Sequence, residues 1–248
     1  MGPVCTIPGS QLRSAQSVSA SAAKQRMLRL LLCSDAHEKA LRRKGFRFIA
    51  GVDEVGRGAL FGPVVAAAVI LPKRISHLTA AGLKDSKQLT RVQREDLDGL
   101  IRSSALALAI AEIDAATIDR VNIYQATRLA MLAAVHALPI SPDHLLIDAM
   151  QLDLSGLPHP CAQTKLIYGD ALSLSIAAAS VIAKVHRDSL LCQFDGHHPG
   201  YGLAAHKGYA TAQHLRALNL LGPTPLHRLT FAPVKACSSS LFAIPSIA

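Results

Sequence analysis

The residues best suited to chemistry sit in the run Gly51-Val52-Asp53-Glu54-Val55-Gly56-Arg57-Gly58, where two adjacent carboxylates lead into a glycine-flanked arginine. Carboxylates offer hard oxygen ligands or acid–base groups, and glycines let a backbone approach a ligand closely. Arg57 sets a fixed cation and free backbone N–H groups beside the acids, an arrangement able to cradle a phosphate. A bare Asp-Glu pair reads equally as a solvated turn; the arginine between two glycines argues for more. No Gly-Lys-Ser/Thr follows, so the turn is not a Walker A loop. Successive strand residues face opposite ways. Asp53 and Glu54 therefore share one site only if the backbone turns there, or if one of them binds from an outer position.

Two further acids end apolar runs. Asp148 follows Leu145-Leu146-Ile147, and Asp170 follows Leu166-Ile167-Tyr168-Gly169. Each alone reads as a turn or cap residue, since an acid at the end of a buried strand is costly unless positive charge meets it. Four such carboxylates, in a chain with only 17 acids, point to a shared divalent cation. Magnesium and manganese prefer oxygen ligands, and a pair of ions about 3.5–4 Å apart can hold the attacking and leaving oxygens of phosphoryl chemistry.

The elements that must carry these acids are legible in the apolar pattern. Phe46 to Val52 reads as a strand that delivers Asp53 into the glycine turn, and Pro63 to Leu71 as a strand buried on both faces. Thr90 and Gln93 have capping-box spacing and open a helix through about Ile101. Ala105 to Ile113 fits strand or helix. Asn122 caps a helix running to about Leu138, and His144 to Ile147 and Lys165 to Tyr168 are short strands. Ala171 to Leu191 has the composition of a buried helix, and Tyr209 to Leu221 reads as a final amphipathic one, stopped by Gly222-Pro223. A helical pattern also begins at Met27 and runs into a polar stretch ending at Lys44. Strands early, with helices alternating among the later ones, predict an α/β layer fold.

Composition narrows the classes. The chain of 248 residues is 50% apolar, too much for a disordered polycation, and its longest apolar runs fall short of the ~20 residues of a membrane span. Five scattered cysteines without a CxxC pair indicate neither a disulfide framework nor a zinc site, and suggest a reducing, cytoplasmic setting. The net charge of +9 is unevenly placed. Residues 1–50 carry nine basic and two acidic residues, residues 51–195 thirteen and fifteen, and residues 196–248 four and none. A mildly acidic centre thus lies between basic flanks, which suits an anionic partner that reaches the centre with a metal.

Several stretches taken together resemble bacterial ribonuclease HII. They are Gly51 to Gly58; Asp85-Ser86-Lys87-Gln88-Leu89; Ile147-Asp148; Ser175-Ile176-Ala177-Ala178-Ala179-Ser180-Val181-Ile182-Ala183-Lys184-Val185-His186-Arg187-Asp188; His206-Lys207-Gly208-Tyr209; and Phe231-Ala232-Pro233-Val234. The likeness runs from about residue 45 to 236, in the expected order. It implies a ribonuclease H-like fold: a central mixed sheet flanked by helices, with a helical C-terminal portion. It also implies metal-dependent endonucleolytic cleavage of the RNA strand of RNA–DNA hybrids, and cutting 5′ of ribonucleotides embedded in duplex DNA, leaving 3′-hydroxyl and 5′-phosphate ends.

By motif position, Asp53, Glu54, Asp148 and Asp170 take the four catalytic, metal-binding roles, for Mg²⁺ or Mn²⁺ in a two-metal site. Metal held there would activate a water for in-line attack on the phosphate. Gly56, Arg57 and Gly58 match the turn that senses the 2′-hydroxyl, the group that separates RNA from DNA. Tyr209, in preference to Tyr201, matches the tyrosine that packs on the sugar at the RNA–DNA junction. Lys87, Lys184, Arg187 and Lys207 are candidate phosphate contacts. Ser173, Ser175 and Ser180 read mainly as helix packing, and His186, His197, His198 and His206 lack a metal-ligand spacing.

The implied organisation is a flexible tail at 1–25, a catalytic domain at 26–236 and a C-terminal tail at 237–248, working as a monomer without a membrane partner. In that second tail, Ser240-Leu241-Phe242 resembles only the end of a clamp-binding peptide. The chain departs from the family pattern at Tyr168, where Lys is usual before Gly-Asp, and at Ala149-Met150, where Gly-Asn is common. Neither change removes a proposed ligand. A catalytically silent nucleic-acid binder is the competing reading, and the retention of all four acids argues against it. The type 3 branch is another, and about 50 irregular N-terminal residues leave little room for that branch's extra domain.

Overall fold

The computed structural model describes residues 31–84 and 86–241, with side chains through Cys237. The expected tail at 1–25, the start of the Met27 pattern and Phe242 lie outside these residues. Five strands form one mixed sheet: β1 (Ile49–Val55), β2 (Val64–Ile70), β3 (Ala107–Ile113), β4 (His144–Asp148) and β5 (Ala162–Leu166), in the order β3-β2-β1-β4-β5. β1 to β3 form an antiparallel meander, whereas β4 and β5 continue the sheet parallel to β1. The expected mixed sheet flanked by helices, with a helical C-terminal portion, is the architecture that forms.

The described helices, in chain order, are α1 (Ala36–Arg43), α2 (Ser76–Ala80), α3 (Arg91–Ser104), α4 (Ala115–Val121), α5 (Ile123–His136), α6 (Leu174–His197), α7 (Leu203–His206), α8 (Ala212–Leu221) and α9 (Ala232–Leu241). Alternation along the strands sorts the core into two faces. Val52, Val64, Ala66, Leu145 and Ile147 pack with Ala126, Ala130, Met131 and Ala134 of α5. Val65, Ala67 and Val69 pack with Ala177, Ala178, Val181 and Ile182 of α6 and with Leu97 and Ile101 of α3. The interior strand β2 is buried at every residue, as its unbroken apolar run requires.

β1 and α6 approach closely at Gly51, where an added Cβ would sit 2.0 Å from the Ser175 carbonyl carbon. Only glycine admits this backbone approach, which seats α6 directly against the strand that carries Asp53. The N-terminus of α6 is tied down twice. Ser173 Oγ accepts from the Ile176 N–H, and the buried Glu38 of α1 accepts from both Ser173 Oγ and the Ser175 N–H. A carboxylate there also complements the helix dipole.

Several boundaries differ from expectation. The polar stretch 36–43 forms α1, whose charged residues flank a buried stripe of Glu38 and Leu41. Of the stretch Ala105 to Ile113, Ala107–Ile113 forms strand β3 and Ala105 caps the end of α3. β5 comes earlier than expected and leaves Ile167 and Tyr168 outside it; Tyr168 takes left-handed backbone (φ +60°) ahead of a 3₁₀ turn at Gly169–Ala171. α6 starts three residues later than expected and runs six further. α8 is not the final helix, since α9 follows it. The capping box at Thr90/Gln93 and the Asn122 cap form as read.

Candidate active site

β1, β4 and β5 run parallel, so their carboxyl ends lie side by side. Asp53 and Glu54 sit near the end of β1, Asp148 closes β4, and Asp170 lies in the 3₁₀ turn just beyond β5. This is the edge of an open α/β sheet where ligands gather. β1 stays regular through Val55, with Asp53 opposite Ala67 and Glu54 opposite Ala66. The two acids therefore point to opposite faces, and the backbone turn that would have merged them does not occur. Asp53 lies on the α6 face.

Charge at this edge is crowded. Burial above all, and then the charges of Glu54, Asp148 and Asp170, hold the Asp53 carboxyl well above the usual range, against a hydrogen bond from Ser180. Burial also raises Glu54; Arg57 opposes the rise, and Asp148 adds to it. Each acid has a local donor. Arg57 Nη1 lies 3.2 Å from Glu54 Oε1, Lys87 Nζ 2.6 Å from Asp170 Oδ2, and the Gly169 N–H 2.7 Å from Asp148 Oδ1. One oxygen is left over: Glu54 Oε2 is buried without a hydrogen-bond partner.

Among the described residues, no three His, Cys, Asp or Glu side chains are placed to hold one ion as they stand. Alternation of Asp53 and Glu54 across the strand accounts for part of this, and the salt bridge from Lys87 to Asp170 for more. The donor set nonetheless fits a hard divalent cation. It is all oxygen, it carries mutual repulsion that a cation would relieve, and it holds one orphaned carboxylate oxygen.

A cleft of about 260 Å³ opens on this edge. It is lined by Asp53, Glu54 and Val55 of β1, Ser86 and Lys87 of a 3₁₀ turn, Ser180 and Lys184 of α6, and Tyr209. The two tyrosine candidates are placed differently. Tyr209 is half-exposed in the cleft, whereas Tyr201 is buried with its hydroxyl on the Gly222 carbonyl. Ser180 does more than pack: its Oγ lies 2.8 Å from Ser86 Oγ, and because it donates to Asp53, Ser86 is the donor to it. Lys184 faces the cleft with its ammonium on Asp188, while Lys207 turns to the Ala204 carbonyl and the Cys192 thiol.

Arg187 departs from its expected role as a phosphate contact. It is fully buried, and its guanidinium donates to the carbonyls of Pro63, Lys207 and Phe61. It braces two loops and offers no donor to a phosphate. Above it, Gly56 needs its positive φ of +91°, and a Cβ there would lie 2.2 Å from Arg187 Nε. Arg57 and Gly58 are exposed at the tip of the turn. Ala149, beside Asp148, takes φ +50°, a conformation that the family's common glycine adopts freely.

Sequence reasoning passed over a second fully buried arginine, Arg228, and the buried histidines His214 and His227. Arg228 donates to the carbonyls of Arg57 and Gly62. The histidines form a directed chain. The Thr224 N–H donates to His227 Nδ1, so the His227 proton sits on Nε2, 3.2 Å from His214 Nε2. His214 accordingly carries its proton on Nδ1, 3.0 Å from the Tyr209 carbonyl. Nothing local marks Arg228, whose partners lie 171 and 166 residues away in the chain.

Comparison with known proteins gives the family and the fold. A family model described as Ribonuclease HII matches residues 50–234. The chain is similar to the curated Ribonuclease HII of Koribacter versatilis, at 52% identity over 92% of this chain and 86% of that protein. Among solved structures it is similar to the ribonuclease H2 of Pyrococcus horikoshii, with a TM-score of 0.70 at 25% identity over 80% of this chain and all of that one. It is also similar to Bst-RNase HIII in complex with Mn²⁺, with a TM-score of 0.61 at 25% identity over 78% of this chain and 70% of that one.

Proposed function

The chain belongs to the ribonuclease HII family, whose members are ribonuclease H hydrolases that degrade the RNA of RNA–DNA hybrids, and from this premise we propose a finer activity: metal-dependent nicking 5′ of ribonucleotides embedded in duplex DNA. The observation that carries the reading is Asp53, a buried carboxylate driven toward protonation by burial and three neighbouring acids. Such a group is stable as an anion only when a cation or a substrate charge shares the site.

In this reading Asp53, Glu54, Asp148 and Asp170 hold Mg²⁺ or Mn²⁺, with two ions as the full complement. The bound ions supply Lewis acidity and counter-charge to the phosphoryl oxygens. Manganese accompanies the Bst-RNase HIII neighbour, which supports the choice of ion. The chain's own groups do the rest. Gly56, Arg57 and Gly58 present backbone N–H groups to the ribose 2′-hydroxyl, and Tyr209 packs on the adjoining sugar. Lys87 and Lys184 meet the phosphates beside the scissile bond. Hydrogen bonds from Ser86 to Ser180 and from Ser180 to Asp53 keep that carboxylate oriented as an oxygen donor.

The test is a labelled DNA duplex with one central ribonucleotide, incubated with the protein and Mg²⁺ or Mn²⁺. We expect one cut 5′ of the ribonucleotide, with an upstream product that a polymerase can extend from its 3′-hydroxyl. An intact duplex under both ions would refute the reading, and cleavage that survives EDTA would refute its metal dependence.

A further inference from the structure

We propose that Arg228 is the positioning residue of the hydroxyl-sensing turn: by holding the Arg57 carbonyl inward, it aims the Gly58 N–H outward at the substrate sugar. This deepens, and rests on, the reading of Gly56–Gly58 given above. Arg228 is fully buried, and among the described residues no carboxylate forms an ion pair with it. Its Nη1 lies 2.9 Å from the Arg57 carbonyl oxygen, and its Nε and Nη2 lie 3.1 and 2.9 Å from that of Gly62. One guanidinium thus clamps both ends of the segment 57–62 that carries the turn.

The direction of the Gly58 N–H follows from peptide geometry. The bond between Arg57 and Gly58 is trans, so the carbonyl of one and the N–H of the other point opposite ways across one plane. With the carbonyl drawn toward a buried guanidinium, the N–H points out of the protein. The Gly56 carbonyl is already taken by the Ala59 N–H at 3.3 Å, which closes the turn and leaves Arg57 and Gly58 at its exposed tip. Gly58 is exposed, and a Cβ on it would meet nothing within 4 Å, so the tip of the turn is open on that side.

Arginine suits the task where lysine does not. A planar fork reaches two carbonyls five residues apart, whereas an ammonium acts as a single point on a flexible stem. Burial first, and then the charge of Arg187, lowers the Arg228 guanidinium to about 9, so it remains a cation at neutral pH. A buried guanidinium whose hydrogen bonds all go to carbonyls is a costly way to orient a loop, and the cost is intelligible if the loop's N–H groups perform the recognition.

The experiment compares wild type with Arg228→Lys in Mg²⁺. It measures KM for a duplex with one ribonucleotide and Ki for the all-deoxy duplex of the same sequence as competitive inhibitor. We expect Ki/KM to fall about fivefold or more in the variant, the size of one lost hydrogen bond, while Ki stays near wild type because the phosphate contacts remain. A folded variant that keeps the wild-type ratio overturns this inference alone. Equal KM and Ki in the wild type overturn the hydroxyl reading, and this inference with it. A second measurement needs no variant. In EDTA, where the duplex stays uncut, the ¹⁵N-labelled wild-type Gly58 amide should shift on adding the ribonucleotide duplex and not the all-deoxy one; an equal response to both, or to neither, overturns the inference.

Discussion

Two charged regions meet at the Gly56–Ala59 turn, and they are built on opposite principles. On one side, four carboxylates crowd the sheet edge, where burial and neighbouring acids raise Asp53 and Glu54 and leave Glu54 Oε2 without a partner. On the other, Arg187, Arg228, His214 and His227 are all fully buried, and every side-chain nitrogen among them is hydrogen-bonded. The first region is under-compensated, as a site must be if its missing charge arrives with substrate and metal. The second is complete without any ligand, and its cations are spent on backbone carbonyls. Positive charge near a catalytic centre is therefore no guide to phosphate binding until its donors have been counted, and Arg187 is the case in point.

The contrast breaks most visibly if the carboxylates are neutralised. Asp53→Asn should lower kcat on a ribonucleotide-containing duplex by at least about 10³-fold while raising the melting temperature of the metal-free protein. A raised carboxyl favours its protonated form in the folded state, so its stabilising contribution is greatest at low pH and is lost as pH rises through the folded value. At pH 7–8 the neutral amide removes that penalty. A gain of about 1 kcal/mol would appear as roughly 2–4 °C in a domain of this size. A clear drop in melting temperature would mean that the acids are compensated after all.

Neutralising the other region should do the reverse. Arg187→Met leaves the carbonyls of Pro63, Lys207 and Phe61 without their buried donor. We expect about 3 kcal/mol of destabilisation, a fall of roughly 6–12 °C, with activity declining only in step with unfolding. A variant as stable as wild type but unable to bind duplex would restore Arg187 as a phosphate contact.

The two regions were also unequally legible in the sequence. The acids and the glycine turn announced themselves because their chemistry is local: Asp53, Glu54, Gly56 and Arg57 are contiguous, and Asp148 ends an apolar run. Strand β2 and the capped helices α3 and α5 were legible for the same reason, being set by patterns within ten or so residues. Arg228 and Arg57 are 171 residues apart in sequence, and nothing local to either foretells the hydrogen bond between them. Ser180 looked like one small residue of a Ser/Ala helix until α3 and its preceding turn brought Ser86 against it. Edges blurred where tertiary pairing overrides pattern, as at β5, in which no residue is fully buried and Ala162 and Lys165 are exposed.

Acid should separate the regions again. Burial, aided by the charge of His214, lowers His227 to about 3, and burial lowers His214. A depressed base contributes stability above its unfolded value near 6.5, and loses it as pH falls toward the folded value. The pair cannot keep its directed hydrogen bonds once an extra proton arrives: on His214 it would leave both Nε2 atoms as donors, and on His227 it would set an Nδ1–H against the Thr224 N–H. Thermal melts from pH 7 down to pH 4 should fall more steeply for wild type than for His227→Gln. Parallel slopes would show that the chain from Thr224 to Tyr209 does not depend on neutral imidazoles.

The smallest effect is expected where the two principles touch the same side chain. Lys87 is a cation at the carboxylate edge, paired with Asp170 at 2.6 Å, but its own side chain is 75% exposed while that of Asp170 is 5% exposed. An exposed ammonium loses little water on pairing and is screened by salt, so the pair should add less than about 1 kcal/mol. Lys87→Met should therefore shift the melting temperature by under roughly 2 °C. Its effect should appear in binding instead. If Lys87 meets a phosphate, the variant should raise KM severalfold, and the slope of log KM against log salt should fall by about one unit. A variant that loses stability and leaves the salt slope unchanged would move Lys87 out of the substrate path and into the company of Arg187, as a cation that serves the fold.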